Sequence, residues 1–167
     1  MKNVLTQLKW FIGLALLQAL ILNQMHIGGY ATPFPYIYFI LKFHSRASRN
    51  ELLLWAFFMG LIMDMFSDTV GMNAASLTCL AFFRTPILQM ITFRDLDEDF
   101  EPCVKMVGLA PFFRYVLLSS LLFCILYVTL DTFSFFNWSV LIFRVLTSTL
   151  TTLFCIMGFE YMWRKKV

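Results

Sequence analysis

Charge is scarce in this sequence, and long polar stretches are absent. The 167 residues hold 13 Lys+Arg and 10 Asp+Glu, so 14% are charged, where soluble domains run at about 25%. Histidine is nearly missing: His26 and His44 stand apart, which leaves no metal-ligand spacing. Cys79, Cys124 and Cys155 lie within apolar blocks, Cys103 lies in a polar loop, and no CxxC pair occurs. These shortages exclude a soluble enzyme, a large domain outside the membrane and a disordered chain. A net charge of +3 gives no argument for nucleic acid.

What is abundant is apolar: 60% hydrophobic residues, with 20 Phe and 10 Met, arranged in blocks. Because a helix needs roughly 20 residues to cross a bilayer, six crossings would use about 120 and leave short loops. The blocks predict one all-α transmembrane domain over 1–167, with spans at about 9–25, 30–43, 52–67, 72–93, 106–130 and 138–163. Lys2 and Lys9 before the first block imitate a signal peptide, but no small-x-small cleavage site follows, so a retained span is expected. The second block is short, and Gly28, Gly29, Pro33 and Pro35 precede it. That composition points to a tilted, broken or partly re-entrant segment.

Orientation follows from where the cations are. Lys2, Lys9, Lys42, Arg46, Arg49, Arg94, Lys105 and the tail Arg164–Lys166 fall in the N-terminus, alternate loops and the C-terminus. The remaining connections carry no Lys or Arg. Under the positive-inside rule six spans result, with both termini cytoplasmic. Trp10, Tyr30, Trp55, Trp138 and Trp163 fall near span ends, as interfacial aromatics do.

Four charges stay inside apolar blocks: Asp64, Arg84, Arg114 and Arg144. Each costs at least about 2.5–3.5 kcal/mol at the bilayer centre and needs a reason. Counting helical rise from the predicted span ends puts Asp64 roughly 18 Å, Arg84 roughly 12 Å and Arg144 roughly 21 Å above the cytoplasmic edge. Asp64 then lies between two arginines that could each reach it, while Arg114 snorkels to the headgroups. Gly60, Asp64 and Ser67 share one stripe of the third span, and Asn73 and Arg84 share a face of the fourth. Arg144, Thr147, Ser148, Thr151 and Cys155 form a small, polar stripe on the sixth. The third, fourth and sixth spans are therefore expected to meet around Asp64. That cluster reads as a buried ion pair, a ligand or proton site, or a partner-helix dock. Catalysis lacks its parts: a second intramembrane carboxylate, a His pair or a Ser–His pairing. The acidic stretch 95–101 reads as a solvated loop, with Phe93, Leu96 and Phe100 interleaved for a basic partner or the bilayer.

The segment Gly60-Leu-Ile-Met-Asp64-Met-Phe-Ser67, followed by Gly71-Met-Asn73-Ala74, resembles the MreD family of bacterial rod shape-determining proteins. Chain length, short loops and the basic ending Glu160-Tyr-Met-Trp-Arg-Lys-Lys166 agree in outline. The residue-level match covers about 15 residues, Gly60, Asp64, Gly71 and Asn73 among them. The resemblance implies a multi-pass inner-membrane protein without catalytic activity or cofactor. Its fold would be a six-helix bundle similar to the substrate-binding subunits of energy-coupling-factor transporters. The implied partners are an MreC-like bitopic protein and, through it, MreB-like filaments, a RodA-like glycosyltransferase and a class B transpeptidase, with membrane lipid around the bundle. That would make it a scaffold for peptidoglycan synthesis along the lateral wall. The shared fold also admits a small-solute-binding transporter subunit, with Tyr30–Tyr38 lending aromatics to a pocket.

Overall fold

A computed structural model describes residues 2–18, 32–44, 48–91, 102–132 and 138–164. All regular structure among these residues is helical: α1 (Lys2–Leu17), α2 (Ile37–Leu41), α3 (Arg49–Ser67), α4 (Met72–Ile91), α5 (Val104–Val107), α6 (Leu109–Thr132) and α7 (Trp138–Arg164). α3, α4, α6 and the stretch Ser139–Met162 of α7 are long and apolar enough to cross a membrane, which marks a multi-pass membrane protein. The remainder of the first expected span, residues 19–25, the acidic stretch 95–101 and the tail 165–167 lie outside the described residues.

Local sequence sets the helix ends. Ser48, extended and just ahead of α3, accepts the Glu51 N–H through its hydroxyl at 3.2 Å, as the first half of a capping box. At the other end Asp68 takes a left-handed conformation (φ 51°), and the Thr69 N–H returns to the Asp64 carbonyl at 3.1 Å. That six-to-one bond is the usual close of a helix with a left-handed cap. The fifth expected span, 106–130, is observed in two pieces, because Gly108 at φ 93° separates α5 from α6. Pro111 then falls in the first turn of α6, where its missing N–H leaves no helical bond unmade.

The long helices pack in the order α3, α4, α6, α7, each against the next, with α1 beside α3. In their midst lie residues 32–43, the described part of the second expected span, 30–43. This part is irregular at 32–34, turns at 35–36, and forms a helix only over Ile37–Leu41. Phe34, Tyr36, all five residues of α2 and Phe43 are buried, and α2 touches α1, α3, α4 and α6. Aromatic rings surround this segment. Phe34 and Tyr36 pack on Phe123 of α6 with ring centroids 5.3 and 5.8 Å away, and Phe34 also meets Tyr127 at 4.9 Å. Phe39 meets Phe11 of α1 at 5.6 Å and Trp55 of α3 at 6.0 Å.

A backbone that is not helical must find its hydrogen bonds elsewhere, since hydrocarbon offers none. Here helix side chains provide them. The Thr32 N–H donates to Ser148 Oγ (3.3 Å) and the Phe34 N–H to Thr152 Oγ1 (3.0 Å), both on α7. Gln18 Nε2 donates to the Pro33 carbonyl (3.1 Å). Tyr115 of α6 and Arg84 of α4 both donate to the Leu41 carbonyl, at 3.3 and 3.5 Å, and Arg84 also donates to the Phe43 carbonyl. Replacing Thr152 by Val keeps its shape but strands the buried Phe34 N–H, which costs about 1–3 kcal/mol. Thr151, half-buried and bonded to its own helix at Thr147 and Ser148, is the control. Thermal unfolding in detergent is expected to show a clear loss for Thr152→Val and a change within about 0.5 kcal/mol for Thr151→Val.

Candidate functional site

The turn between α3 and α4 gathers the polar residues at one end of the bundle. Gly60 makes it possible: a Cβ there would lie 2.4 Å from Ala74 Cα and 2.6 Å from Ala74 N, so any side chain would push α4 away. With the two backbones this close, Asp64 reaches the first turn of α4. Its Oδ1 accepts from the Asn73 N–H (2.9 Å), Asn73 Nδ2 (3.1 Å) and Thr69 Oγ1 (2.6 Å), and its Oδ2 accepts from the Ala74 N–H (3.0 Å). Gly71, at φ 72° and without a side chain, precedes α4 and cannot cap it. The cap comes instead from the preceding helix, as a carboxylate placed at the positive end of the α4 dipole.

Asn73 extends the network inward. Tyr36 OH donates to Asn73 Oδ1 at 2.6 Å, and Asn73 Nδ2 also donates to Thr69 Oγ1 at 3.2 Å. Asp64, Asn73 and Tyr36 are all buried. The chain Thr69–Asp64–Asn73–Tyr36 thus ties the hairpin to the broken segment. Ser67 is half-buried at the end of α3.

The expected ion pair between Asp64 and an arginine is not what forms. Gly60 faces Ala74, and this antiparallel register sets Arg84 level with Asn50, at the opposite end of the α3–α4 pair. Ten residues of α4 separate Arg84 from Ala74, roughly 15 Å of helical rise and beyond any side chain's reach. Arg84 is buried and caps the carbonyl end of α2, a favourable place for a cation. Arg144 pairs with Asp131 at 3.0 Å, both side chains about a third exposed, at the α6–α7 end. The sixth span does not meet the third and fourth around Asp64 either, because α6 lies between α4 and α7. Arg114 is exposed on α6.

A second buried carboxylate escaped the reading of the sequence. Glu160 on α7 accepts from Tyr38 OH and, at 3.1 Å, from the Val104 N–H at the start of α5, and it pairs with Lys42 at 3.7 Å. Lys42 also donates to Tyr38 OH at 3.0 Å. Glu160 sits four residues before the basic tail and looked like part of it; its helical spacing from Ser148 and Thr152, in steps of four, was the available signal. Thr69 and Tyr36 were missed because a turn and a broken helix bring them in. Among the described residues no cluster of His, Cys, Asp and Glu could hold a metal ion.

No protein-family model matches the chain, and neither does a curated protein or a solved structure.

Two results are expected. Asp64→Asn turns an amide N–H₂ toward backbone N–H donors and costs about 1–3 kcal/mol in thermal unfolding, with Asp64→Ala at least as severe. In a double-mutant cycle Asp64→Ala and Arg84→Ala add within about 0.5 kcal/mol, and the charge swap Asp64→Arg with Arg84→Asp does not rescue. A coupling energy above 1 kcal/mol would restore the ion pair.

Proposed function

We propose that this chain is a non-catalytic integral membrane scaffold of the MreD type. It would belong to the cell-elongation complex of the bacterial inner membrane, with six crossings and both termini cytoplasmic. It holds an MreC-like bitopic protein and, through it, serves MreB-like filaments, a RodA-like glycosyltransferase and a class B transpeptidase. In this reading α1 and residues 32–43 provide the first two crossings, and the fold is a six-helix bundle of the kind found in energy-coupling-factor substrate-binding subunits.

The observation that carries the reading is the α3–α4 hairpin. The residues on which the resemblance rests are the ones that build it: Gly60 admits Ala74, Gly71 turns the chain, and Asp64 caps α4 together with Asn73. Four protein donors fill the two oxygens of Asp64, so the carboxylate works as a structural group and leaves function to the outer surface of the bundle. Membrane helices recognise one another through close packing and hydrogen bonds, which a rigid bundle can present. The transporter alternative is weakened by the aromatics it would use. Tyr36 and Tyr38 lie in the core, bonded to Asn73 and Glu160.

Affinity purification from native membranes in mild detergent tests the proposal. A near-stoichiometric bitopic protein with a periplasmic coiled coil is the expected companion, and Gly60→Val is expected to lose it as the hairpin opens. A co-purifying ATPase-type coupling complex, or a bound small solute with no bitopic partner, would overturn the scaffold reading.

A further inference from the structure

One cavity lies apart from the polar networks. Between α1 and α7 runs a groove of about 280 Å³ lined by Lys9, Trp10, Gly13, Leu14, Leu17 and Phe159. Its wall is hydrocarbon and aromatic, with one ammonium at the mouth. A Cβ built on Gly13 meets nothing within 4 Å, so the groove is open over bare backbone at that point. That volume lies just under the roughly 300 Å³ at which small-molecule pockets begin, and with its apolar wall the groove suits one flexible hydrocarbon chain.

The polar end specifies what that chain carries. Lys9 is exposed there, next to Trp10, and Lys42 stands over the Trp10 ring at 5.8 Å from its centroid while pairing with Glu160. An indole flanked by lysines is the composition of the headgroup level of a bilayer. Basic pockets between membrane helices take anionic headgroups. The geometry points to a binding site for one anionic phospholipid, with an acyl chain along Gly13, Leu14, Leu17 and Phe159 and the phosphate against the Lys9 ammonium. The site is independent of the scaffold reading, since it uses none of the hairpin residues.

The test is native mass spectrometry of the full chain in detergent, with dioleoyl phosphatidylglycerol and dioleoyl phosphatidylcholine added in equal amounts. One phosphatidylglycerol is expected to stay on the wild-type chain. Gly13→Leu fills the groove and is expected to lower its occupancy at least about tenfold. Lys9→Gln, on the surface and without risk to the fold, is expected to reduce the preference for the anionic lipid about fivefold. Gly158→Leu is the control: that glycine is also exposed with nothing near its Cβ, but it does not line the groove, and it is expected to bind like wild type. Equal retention by wild type and Gly13→Leu would overturn the proposal, as would a wild-type chain indifferent to the headgroup. If Gly13→Leu instead released a co-purified membrane protein and left lipid retention unchanged, the groove would belong to a partner's side chains and the lipid site would be refuted.

Discussion

Everything in this bundle answers to a backbone that cannot satisfy itself. Residues 32–43 hold one short helix and several peptide groups outside it, buried among helices long enough to cross a membrane. Each such group left bare in hydrocarbon would cost several kcal/mol. Ser148, Thr152, Gln18, Tyr115 and Arg84 come from four different helices and each bonds a backbone group of this one segment. The polar residues of α7 therefore do more than let helices approach: Ser148 and Thr152, one turn apart, receive the N–H groups of an irregular stretch of chain.

The same logic governs the charges. A buried carboxylate and a buried guanidinium on adjacent helices invite the thought of an ion pair. A pair, however, would have left the first turn of α4 and the last turn of α2 uncapped. Both turns expose backbone partial charges, positive at the N-terminal end and negative at the C-terminal end. Asp64 meets the first and Arg84 the second, so each ion is hydrogen-bonded by a helix terminus of opposite partial charge. Glu160 follows suit, with a backbone N–H and a tyrosine hydroxyl besides its lysine. The one ion pair among the described intramembrane arginines, Arg144 with Asp131, is also the one with both members partly exposed.

Part of this was legible in the sequence. Long apolar blocks announced α3, α4, α6 and α7 because lipid demands continuous helices of that length. Gly28, Gly29, Pro33 and Pro35 signalled that the second block would not be a plain helix, and the structure shows five helical residues there. The buried shared face of Asn73 and Arg84 was also readable from their spacing. The partners of the charges were not. Counting rise from Leu52 and Met72 treated the two helices as level. The contact of Gly60 with Ala74, which fixes their register, is a close approach that no propensity encodes. Nor can hydropathy show that an arginine's partner is a main-chain carbonyl, because carbonyls have no letter in a sequence. Thr152 and Glu160 were hidden for a related reason: each looked ordinary until the segment it holds was in place.

A membrane bundle draws little specificity from apolar burial, since lipid tails are as apolar as leucine. The exposed phenylalanines of α3 and α4, such as Phe57, Phe58, Phe82 and Phe83, can face acyl chains at no cost, and the buried ones gain packing more than they gain escape from water. What selects one arrangement is then the short list of contacts that lipid cannot imitate. These are the backbone approach at Gly60, the carboxylate at the head of α4, the guanidinium at the foot of α2, and the hydroxyls of α7 along residues 32–34. Because they hold α3, α4 and α7 to one segment that α1 and α6 also touch, loosening any of them loosens a segment shared by all. A bundle built this way takes its specificity from the polar contacts at its centre, while its lipid-facing rim contributes little to the choice of arrangement.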